Sequence, residues 1–218
     1  MEPWALLQLA DSAFPTGGFA HSAGLESAHQ LGRVRTGEEV AAFAEEALWA
    51  AGSFGLPFVR SARADPALHA AVDAVCDAAT PGHVANRASR EQGQAFLRAA
   101  AIFSPATSRL AEEARRQKLA GHLAPAFGAV LGLLGADDDD AGRLFLFLAA
   151  RAIFSAAVRL GIVGPIESQA LLARAAPVMT AVLSTCRGAT PGDAASSSPA
   201  LDLLQGHQDR LYSRLFRS

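Results

Sequence analysis

Cysteine is scarce in this chain, and its scarcity excludes several kinds of site. The 218 residues include only two cysteines, Cys76 and Cys186, which lie far apart in the sequence. Two distant thiols provide neither a disulfide framework nor a cysteine-rich metal site. We therefore predict that both are small buried hydrophobic residues in a reducing compartment. The N-terminal residues contain no basic segment followed by a long apolar run, so we expect no signal peptide and a cytoplasmic protein.

Charged residues are also few. They make up 18% of the chain, against 50% hydrophobic residues, and the net charge is −2 with a pI near 6.3. This balance argues against a general binder of the phosphate backbone. The densest basic cluster, Arg115–Lys118, is interpreted as a helix C-terminus, where cations offset the helix dipole. So little charge for so large a surface suggests that a partner covers part of it.

Strand-forming patterns are missing, because valines are scattered, threonines are few and there is a single tyrosine. The sequence therefore predicts an all-α, non-bundle fold of roughly ten helices in one domain. Within it we expect a helical body over residues 1–187 and a flexible linker over 188–200. The linker is rich in Gly, Ala, Ser and Pro and lacks apolar periodicity. A C-terminal docking helix and tail follow over 201–218, with helical spacing predicted from Leu201 to Phe216.

Capping signals divide the body into helices. Thr36 with Glu39 matches a capping box that starts a helix ending near Ala51. Asp65 and Ser104 each precede a proline, which is the pattern of an N-cap followed by the first helical residue. The other helices are predicted over residues 4–9, 21–31, 54–63, 66–79, 86–103, 105–118 and 125–134. One more is predicted to begin at Pro165, and Pro177 is predicted to start or kink another.

The most hydrophobic segment, Leu144–Val163, is interpreted as a central core helix. The acidic run Asp137–Asp140 precedes it and suits a helix N-terminus better than a calcium site, since the spaced glutamate of a calcium loop is absent. Arg151 and Arg159 interrupt the segment, which argues against a membrane span. The two arginines lie on nearly the same side of the helix, and if buried they need carboxylate or carbonyl partners.

No group of residues in the sequence matches a catalytic, phosphate-binding or metal-binding motif. A phosphate-binding loop would need a lysine and a preceding strand, and neither accompanies the glycines near the N-terminus. His21 and Ser22 are adjacent and so do not face each other on a helix, and no nucleophile elbow surrounds them. No two of the six histidines are three or four residues apart, so no metal site is predicted. We accordingly expect no catalytic residues and no stably bound cofactor.

The stretch from Leu6 to Leu31 organises the N-terminal part of the chain. Pro15 restricts the loop that precedes a predicted helix from His21 to Leu31, and Gly17 permits positive φ or a close backbone approach. Phe14 and Phe19 flank the turn, and such a loop is either a structural clamp or a presented surface. Gly32 is a plausible helix stop.

The run LQLADSAFPTGGFAHSAGLE, residues 7–26, closely resembles the N-terminal signature of the urease accessory protein UreF family. The ending YSRLFRS, residues 212–218, is similar to that family's closing motif. The pair of motifs, at the two ends of a chain of this length, makes the resemblance specific. The middle of the chain resembles the family mainly in pattern.

The resemblance implies a maturation factor rather than an enzyme. Members of this family help to assemble urease, form a complex with the accessory protein UreD (also called UreH) and recruit the GTPase UreG. The resemblance thus implies a chaperone scaffold for GTP-dependent nickel insertion into apo-urease. It also implies a homodimer within that complex and nickel handled by the complex rather than held by this chain.

Residue roles are carried over only at matching positions. Arg214 stands at the arginine of the family's Arg-Leu-Phe ending, which is linked to ordering the tail and forming the GTPase-binding surface. The other positions implied to bind partners are Tyr212, Leu215, Phe216 and His21. The residues matching the N-terminal signature, for which a structural role is implied, are Pro15, Gly17, Phe19, Gly24, Leu25 and Glu26.

This chain departs from the family pattern at one place. It has Pro-Thr-Gly-Gly-Phe-Ala-His-Ser where many relatives have a run of the type Pro-Val-Gly-Ala/Gly-Phe-Ser-Tyr-Ser, so the resemblance does not assign contacts to Thr16, Ala20 and His21. A rival hypothesis is a helical hydrolase or other small-molecule enzyme that uses Arg151, Arg159 and His21, and a further alternative is another kind of helical protein-interaction module. The enzyme hypothesis predicts an enclosed polar pocket on which these side chains converge. A helix-turn-helix regulator would need a basic recognition helix, and none is evident.

Overall fold

The computed structural model describes all 218 residues and contains α-helices, short 3₁₀ and π turns, and no strands. The all-α prediction is confirmed. The twelve α-helices are α1 (Pro3–Ala10), α2 (Leu25–Gln30), α3 (Gly37–Ala50), α4 (Leu56–Ala64), α5 (His69–Ala78), α6 (His83–Ala100), α7 (Pro105–Arg116), α8 (Leu123–Leu133), α9 (Asp138–Arg159), α10 (Pro165–Arg174), α11 (Ala176–Thr185) and α12 (Pro199–His207).

Two hydrophobic clusters make up the core, and α9 contributes to both. The first contains 21 buried residues, drawn mainly from α2, α3, α9, α10 and α11, and includes Leu201 and Phe216 near the C-terminus. The second contains 19 buried residues, mainly from α4, α5, α6 and α8. Helix α9 thus runs through the middle of the molecule, and the helices of each cluster pack around it.

The prediction of a core position for the most hydrophobic segment is confirmed, although α9 begins and ends earlier than predicted. By length and composition α9 is the one helix long and apolar enough to cross a membrane, and half of its most apolar window is buried by the protein. It begins at Asp138 rather than Leu144 because the acidic run forms its first turn. Asp137 caps it by accepting a hydrogen bond from the Asp140 N–H at 2.7 Å.

Helices α3 and α4 form one nearly continuous rod, because a π turn over Ala51–Gly55 joins them without a loop. Two glycines allow neighbouring helices to approach this turn. A Cβ on Gly52 would lie 2.1 Å from a methyl carbon of Val182, and one on Gly55 would lie 2.7 Å from the Phe145 ring. The sequence predicted two separate helices here, because Gly52 and Gly55 interrupt the helical pattern and nothing in the sequence signals a π turn.

Helices α4 and α8 pack with their backbones nearly in contact. A Cβ on Gly128 would lie 2.1 Å from the carbonyl oxygen of Val59, and one on Gly132 would lie 2.4 Å from that of Arg63. The close approach expected from glycines four residues apart is therefore present. It brings α4 against α8 at the centre of the second cluster.

The capping predictions are confirmed. The Thr36 hydroxyl accepts from the Glu39 N–H at 3.3 Å, and the Glu39 carboxylate accepts from the Thr36 N–H at 3.0 Å. Ser104 caps α7 in the same reciprocal way with Thr107. Asp65 also caps, although the chain first makes a 3₁₀ turn before α5 begins at His69.

The second helix is shorter than predicted. Residues 21–24 precede it, with His21 extended and Gly24 left-handed at φ +89°, and α2 begins only at Leu25. Leu31 lies beyond the last turn and is about half exposed, so it does not share the buried face of Leu25. The predicted stop at Gly32 is confirmed by its φ of +72°.

The C-terminal helix also ends earlier than predicted. Helix α12 ends at His207 and a 3₁₀ turn over Gln208–Arg210 follows, so the prediction of a helix to Phe216 is wrong beyond Arg210. Residues 211–218 are non-helical because their backbone groups bond to the N-terminal segment instead. We call residues 211–218 the C-terminal tail.

Helix α6 is longer than predicted at its start. It begins at His83, three residues before the predicted Asn86.

The segment 188–200 makes several contacts with the body. Its Ala195 N–H donates to the Ser53 carbonyl at 3.4 Å, and the buried Ser198 donates its hydroxyl to Glu46. The flexibility expected of this linker, like the three-part division of the chain, stays a prediction.

Both cysteines are unpaired and buried, as expected, and burial raises the pKa of Cys76 to about 12.

Candidate functional site

The two ends of the chain meet on one face of the molecule. The C-terminal tail runs alongside residues 20–26, just before α2 and in its first turn. The Arg217 N–H donates to the Ala20 carbonyl at 2.8 Å, and the Ser22 N–H donates to the Ser218 carbonyl at 2.5 Å. The two stretches that carry the family resemblance therefore form one surface, which we call the end-to-end site.

Glu26 is the principal polar anchor of the end-to-end site. Its side chain is buried, and its two carboxylate oxygens accept the backbone N–H groups of Leu215 at 2.6 Å and Phe216 at 3.1 Å. The same carboxylate accepts the Gln208 amide at 2.6 Å. Since a buried charge is tolerated only with strong partners, these bonds fix the tail against α2.

Gln208 completes the network. Its amide nitrogen donates to Glu26 and, at 3.1 Å, to the Phe216 carbonyl, while its amide oxygen accepts from the Ser27 hydroxyl at 3.1 Å. The side chain is fully buried, so these three bonds satisfy a group that would otherwise be costly to bury. In the sequence, Gln208 stands at helical spacing with Leu204 and Leu211, and its polar identity between these leucines is the only local signal of a buried hydrogen-bond role.

Glycine permits the close approach of α12 to the N-terminal segment. A Cβ on Gly24 would lie 3.1 Å from the side chain of Gln205 and 3.2 Å from its backbone nitrogen, and Gly24 is also left-handed. Gly17 is left-handed at φ +73°, and a Cβ there would have no neighbour within 4 Å, so it is required by the turn rather than by packing. Leu25 is fully buried beside Gly24, whereas Pro15 is exposed in the loop.

Arg159, on α9, contacts both ends of the chain. Its guanidinium lies 4.2 Å from the centroid of the buried Phe216 ring and 5.5 Å from that of Phe19. It also donates a hydrogen bond to the Phe19 carbonyl. One cation therefore contacts an aromatic residue of each end.

His21 lies at the edge of the end-to-end site. Its Nδ1 is 2.6 Å from the Ser218 hydroxyl, and the side chain is buried. Burial lowers the pKa of His21, and Glu91 on α6 opposes that shift. The neutral imidazole is therefore the form that the fold favours.

The remaining partner-binding candidates point away from the core. Tyr212 is fully exposed and Leu215 is half exposed. Arg214 is exposed and donates to Asp209 at 3.2 Å. Arg87 on α6 binds the same carboxylate through both guanidinium nitrogens, and its hydrogen bonds hold the pKa of Asp209 below its ordinary value. No pattern in the sequence signalled that Arg87 and Asp209 would meet.

The contacts of Arg151 and Arg159 differ from the shared polar pocket that the rival enzyme hypothesis predicts. Arg151 donates to the Ala10 carbonyl and Arg159 to the Phe19 carbonyl, so both hold the N-terminal segment rather than a shared pocket. His21 points to the end of the tail. None of these three side chains lines the cleft beside α6 or the cleft between α9 and α11.

No group of three or more His, Cys, Asp or Glu side chains is arranged to hold a metal ion. The buried His122 illustrates the structural use of such residues. Its Nε2 lies 2.9 Å from Asp77 and its Nδ1 lies 3.1 Å from the Ser89 hydroxyl, which ties α5, α6 and the start of α8 together. This hydrogen bond from His122 lowers the pKa of Asp77.

The chain is similar to known proteins over almost its whole length. A family model described as UreF matches residues 34–176. The chain is 39% identical to urease accessory protein F of Arabidopsis thaliana, an alignment that covers 99% of this chain and 92% of that protein. It is 37% identical to urease accessory protein F of Oryza sativa subsp. indica, over 98% of this chain and 84% of that protein. It is 33% identical to urease accessory protein UreF of Paracoccus denitrificans, over 98% and 94%.

Proposed function

This chain belongs to the UreF family of urease accessory proteins, which take part in urease maturation, and from that premise we propose that it bridges two partners. The partners are a UreD-type (UreH-type) protein and a UreG-type GTPase. In the assembled complex, GTP hydrolysis by the GTPase drives nickel insertion into apo-urease, and this chain supplies the scaffold.

The observation that supports this proposal most directly is the end-to-end site. Glu26, Gln208 and Arg159 hold a tail whose outer residues, Tyr212 and Leu215, remain exposed. Apolar and aromatic side chains fixed on a rigid backbone and left facing solvent are typical of a protein-binding surface. Arg214 lies between them, and arginine and tyrosine are both enriched in such interfaces.

The contacts of the buried polar side chains are also consistent with a scaffold rather than a catalyst. The buried polar groups at the site bond to backbone and side-chain partners of this chain, and Arg151 and Arg159 act as structural clamps. We propose that the chain has no turnover of its own and binds no cofactor stably. Nickel is then cargo of the complex, which is assembled in the cytoplasm around a homodimer of this protein.

Reconstitution tests the proposal. The chain is expressed with and without its UreD-type partner, and the UreG-type GTPase is added before size exclusion with light scattering. A ternary complex that requires this chain, with a mass that contains two copies of it, is the expected result. If neither partner elutes with the chain, the scaffold role is wrong.

Arg214 provides a residue-level test of the same proposal. Arg214→Ala is expected to reduce GTPase recruitment and urease activation, because it removes an exposed cation at the centre of the proposed surface. Arg174→Ala is a matched control, since Arg174 is also exposed and also paired with a carboxylate, Glu38, but lies away from the tail. Unchanged recruitment and activation in the Arg214 variant would show that the tail arginine does not contribute.

A further inference from the structure

The outward side of α6 carries a row of basic side chains. Arg87, Arg90, Gln94 and Arg98 follow one another at intervals of three, four and four residues. This is the spacing of one helix face, so the three arginines lie on the same side of α6. All three arginines are exposed. The N-terminal half of this row lines a cleft of about 420 Å³ in which every lining residue except Pro81 has a polar side chain.

The C-terminal tail extends this row. Asp209 bridges Arg87 and Arg214, with distances of 2.8 and 3.2 Å, and Arg217 pairs with Glu91 of α6 at 3.2 Å. The five arginines at positions 87, 90, 98, 214 and 217 therefore belong to one continuous surface, which we call the α6 basic face. It adjoins the exposed Tyr212 and Leu215 of the end-to-end site.

The α6 basic face has the opposite sign of charge from the whole molecule. Its five arginines adjoin three carboxylates, Asp77, Glu91 and Asp209, which leaves two net positive charges on a chain whose net charge is −2. Those carboxylates are already engaged, since Asp77 accepts hydrogen bonds from His122 and Asn86. Arg90 and Arg98 have no hydrogen-bond or salt-bridge partner in the chain.

We propose that the α6 basic face docks a carboxylate-rich surface of one of the two protein partners, an inference that rests on the proposed scaffold function. Arg90 and Arg98 are the two free guanidiniums that would pair with the incoming carboxylates. The length of α6 between Arg87 and Arg98 is about 16 Å, which suits a patch within a protein interface of ordinary size.

The surroundings favour an acidic protein over a nucleic acid. The three carboxylates within the face would repel a continuous phosphate backbone, whereas a protein surface can place its own carboxylates only where the free arginines lie. Asn86 and Gln94 line the same cleft, and because their NH₂ groups already donate within the chain, their amide oxygens are left to accept hydrogen bonds from a protein. The adjoining Tyr212 supplies the aromatic component that protein interfaces favour.

Charge reversal in the full-length chain tests the inference. The Arg90→Glu/Arg98→Glu double variant is compared with wild type for affinity to each purified partner, at salt concentrations from about 0.05 to 0.5 M. We expect at least a roughly tenfold loss of affinity for one partner at low salt and a weaker salt dependence, as for other charges at an interface. Arg109→Glu/Arg115→Glu on α7 changes the net charge equally and is expected to bind like wild type. Both positions are exposed and have no carboxylate partner.

Circular dichroism and thermal melting of both double variants verify that each is folded. If wild type binds a partner but the α6 variant binds both partners with wild-type affinity and salt dependence, the inference is wrong while the scaffold role stands. If wild type binds neither partner, both fail. Loss of binding to a short duplex DNA, without any change in partner binding, would identify the face as a nucleic-acid site and overturn the inference.

Discussion

Glu26→Gln is the sharpest test of how the tail is held. The substitution preserves the shape of the side chain but removes its charge and replaces one acceptor oxygen by an NH₂ group. Three donors converge on the carboxylate within 3.1 Å, the N–H groups of Leu215 and Phe216 and the amide of Gln208, and the Gln30 amide donates at 3.5 Å. In the variant at least one of them meets another donor inside a buried site.

The magnitude follows from these contacts. A hydrogen bond to a charged acceptor contributes about 1.5–3 kcal/mol, and a buried donor left without an acceptor costs a further 1–3 kcal/mol. Because one amide oxygen still accepts, we expect a total loss of about 3 kcal/mol rather than the sum over three bonds. This loss falls on the docking of the tail and corresponds to about a hundredfold increase in its open population.

Amide hydrogen exchange followed by NMR measures this population directly. The N–H groups of Leu215 and Phe216 should exchange about a hundredfold faster in Glu26→Gln, while amides in the middle of α9 keep their wild-type protection. Glu38→Gln serves as the control. The Glu38 carboxylate, like that of Glu26, accepts hydrogen bonds, but its donor is the Arg174 side chain and it lies on the exposed surface of α3. Wild-type exchange at both tail amides in Glu26→Gln would refute the reasoning.

Three further predictions concern the core and the site. Arg159→Met should reduce the free energy of unfolding by about 1–2 kcal/mol in urea titration, because it removes the cation from the face of the Phe216 ring, and an unchanged transition would contradict this. Gly128→Ala should lower the melting temperature sharply, since its Cβ would lie 2.1 Å from a backbone oxygen of α4, whereas Gly206→Ala, in open space, should not lower it. Because burial lowers the pKa of His21, the unfolded chain takes up its proton first as the pH falls below about 6.5. Stability should therefore decline from about pH 7 to pH 5 more in wild type than in His21→Asn, and equal slopes in urea titrations would exclude this role.

Local signals in the sequence predicted local structure well. The caps at Thr36 and Ser104 and the stop at Gly32 depend on residues within four positions of one another, and each was found where expected. The close approach at Gly128 was also predictable, because glycines one helical turn apart leave a groove.

The errors arose where distant parts of the chain compete with helix formation. Residues 21–24 and 211–218 have helical spacing, yet their backbone groups bond across the molecule to each other. A periodic pattern carries no information about such partners. The same limitation hid the pairing of Glu26 with the tail and that of Arg87 with Asp209, which together shape the candidate site.

The long sequence separation within the end-to-end site has a consequence for the order of folding. Glu26 and Phe216 are 190 residues apart, and closing a flexible loop of that length costs about 4–5 kcal/mol in chain entropy. Once the body has formed and α12 lies against α2, the free segment after His207 is short, and the length-dependent cost falls to about 2 kcal/mol. We therefore expect the tail to dock after the helical body has folded and to detach before the body unfolds. Its detachment would then be a local equilibrium, separate from the global unfolding of the helical body.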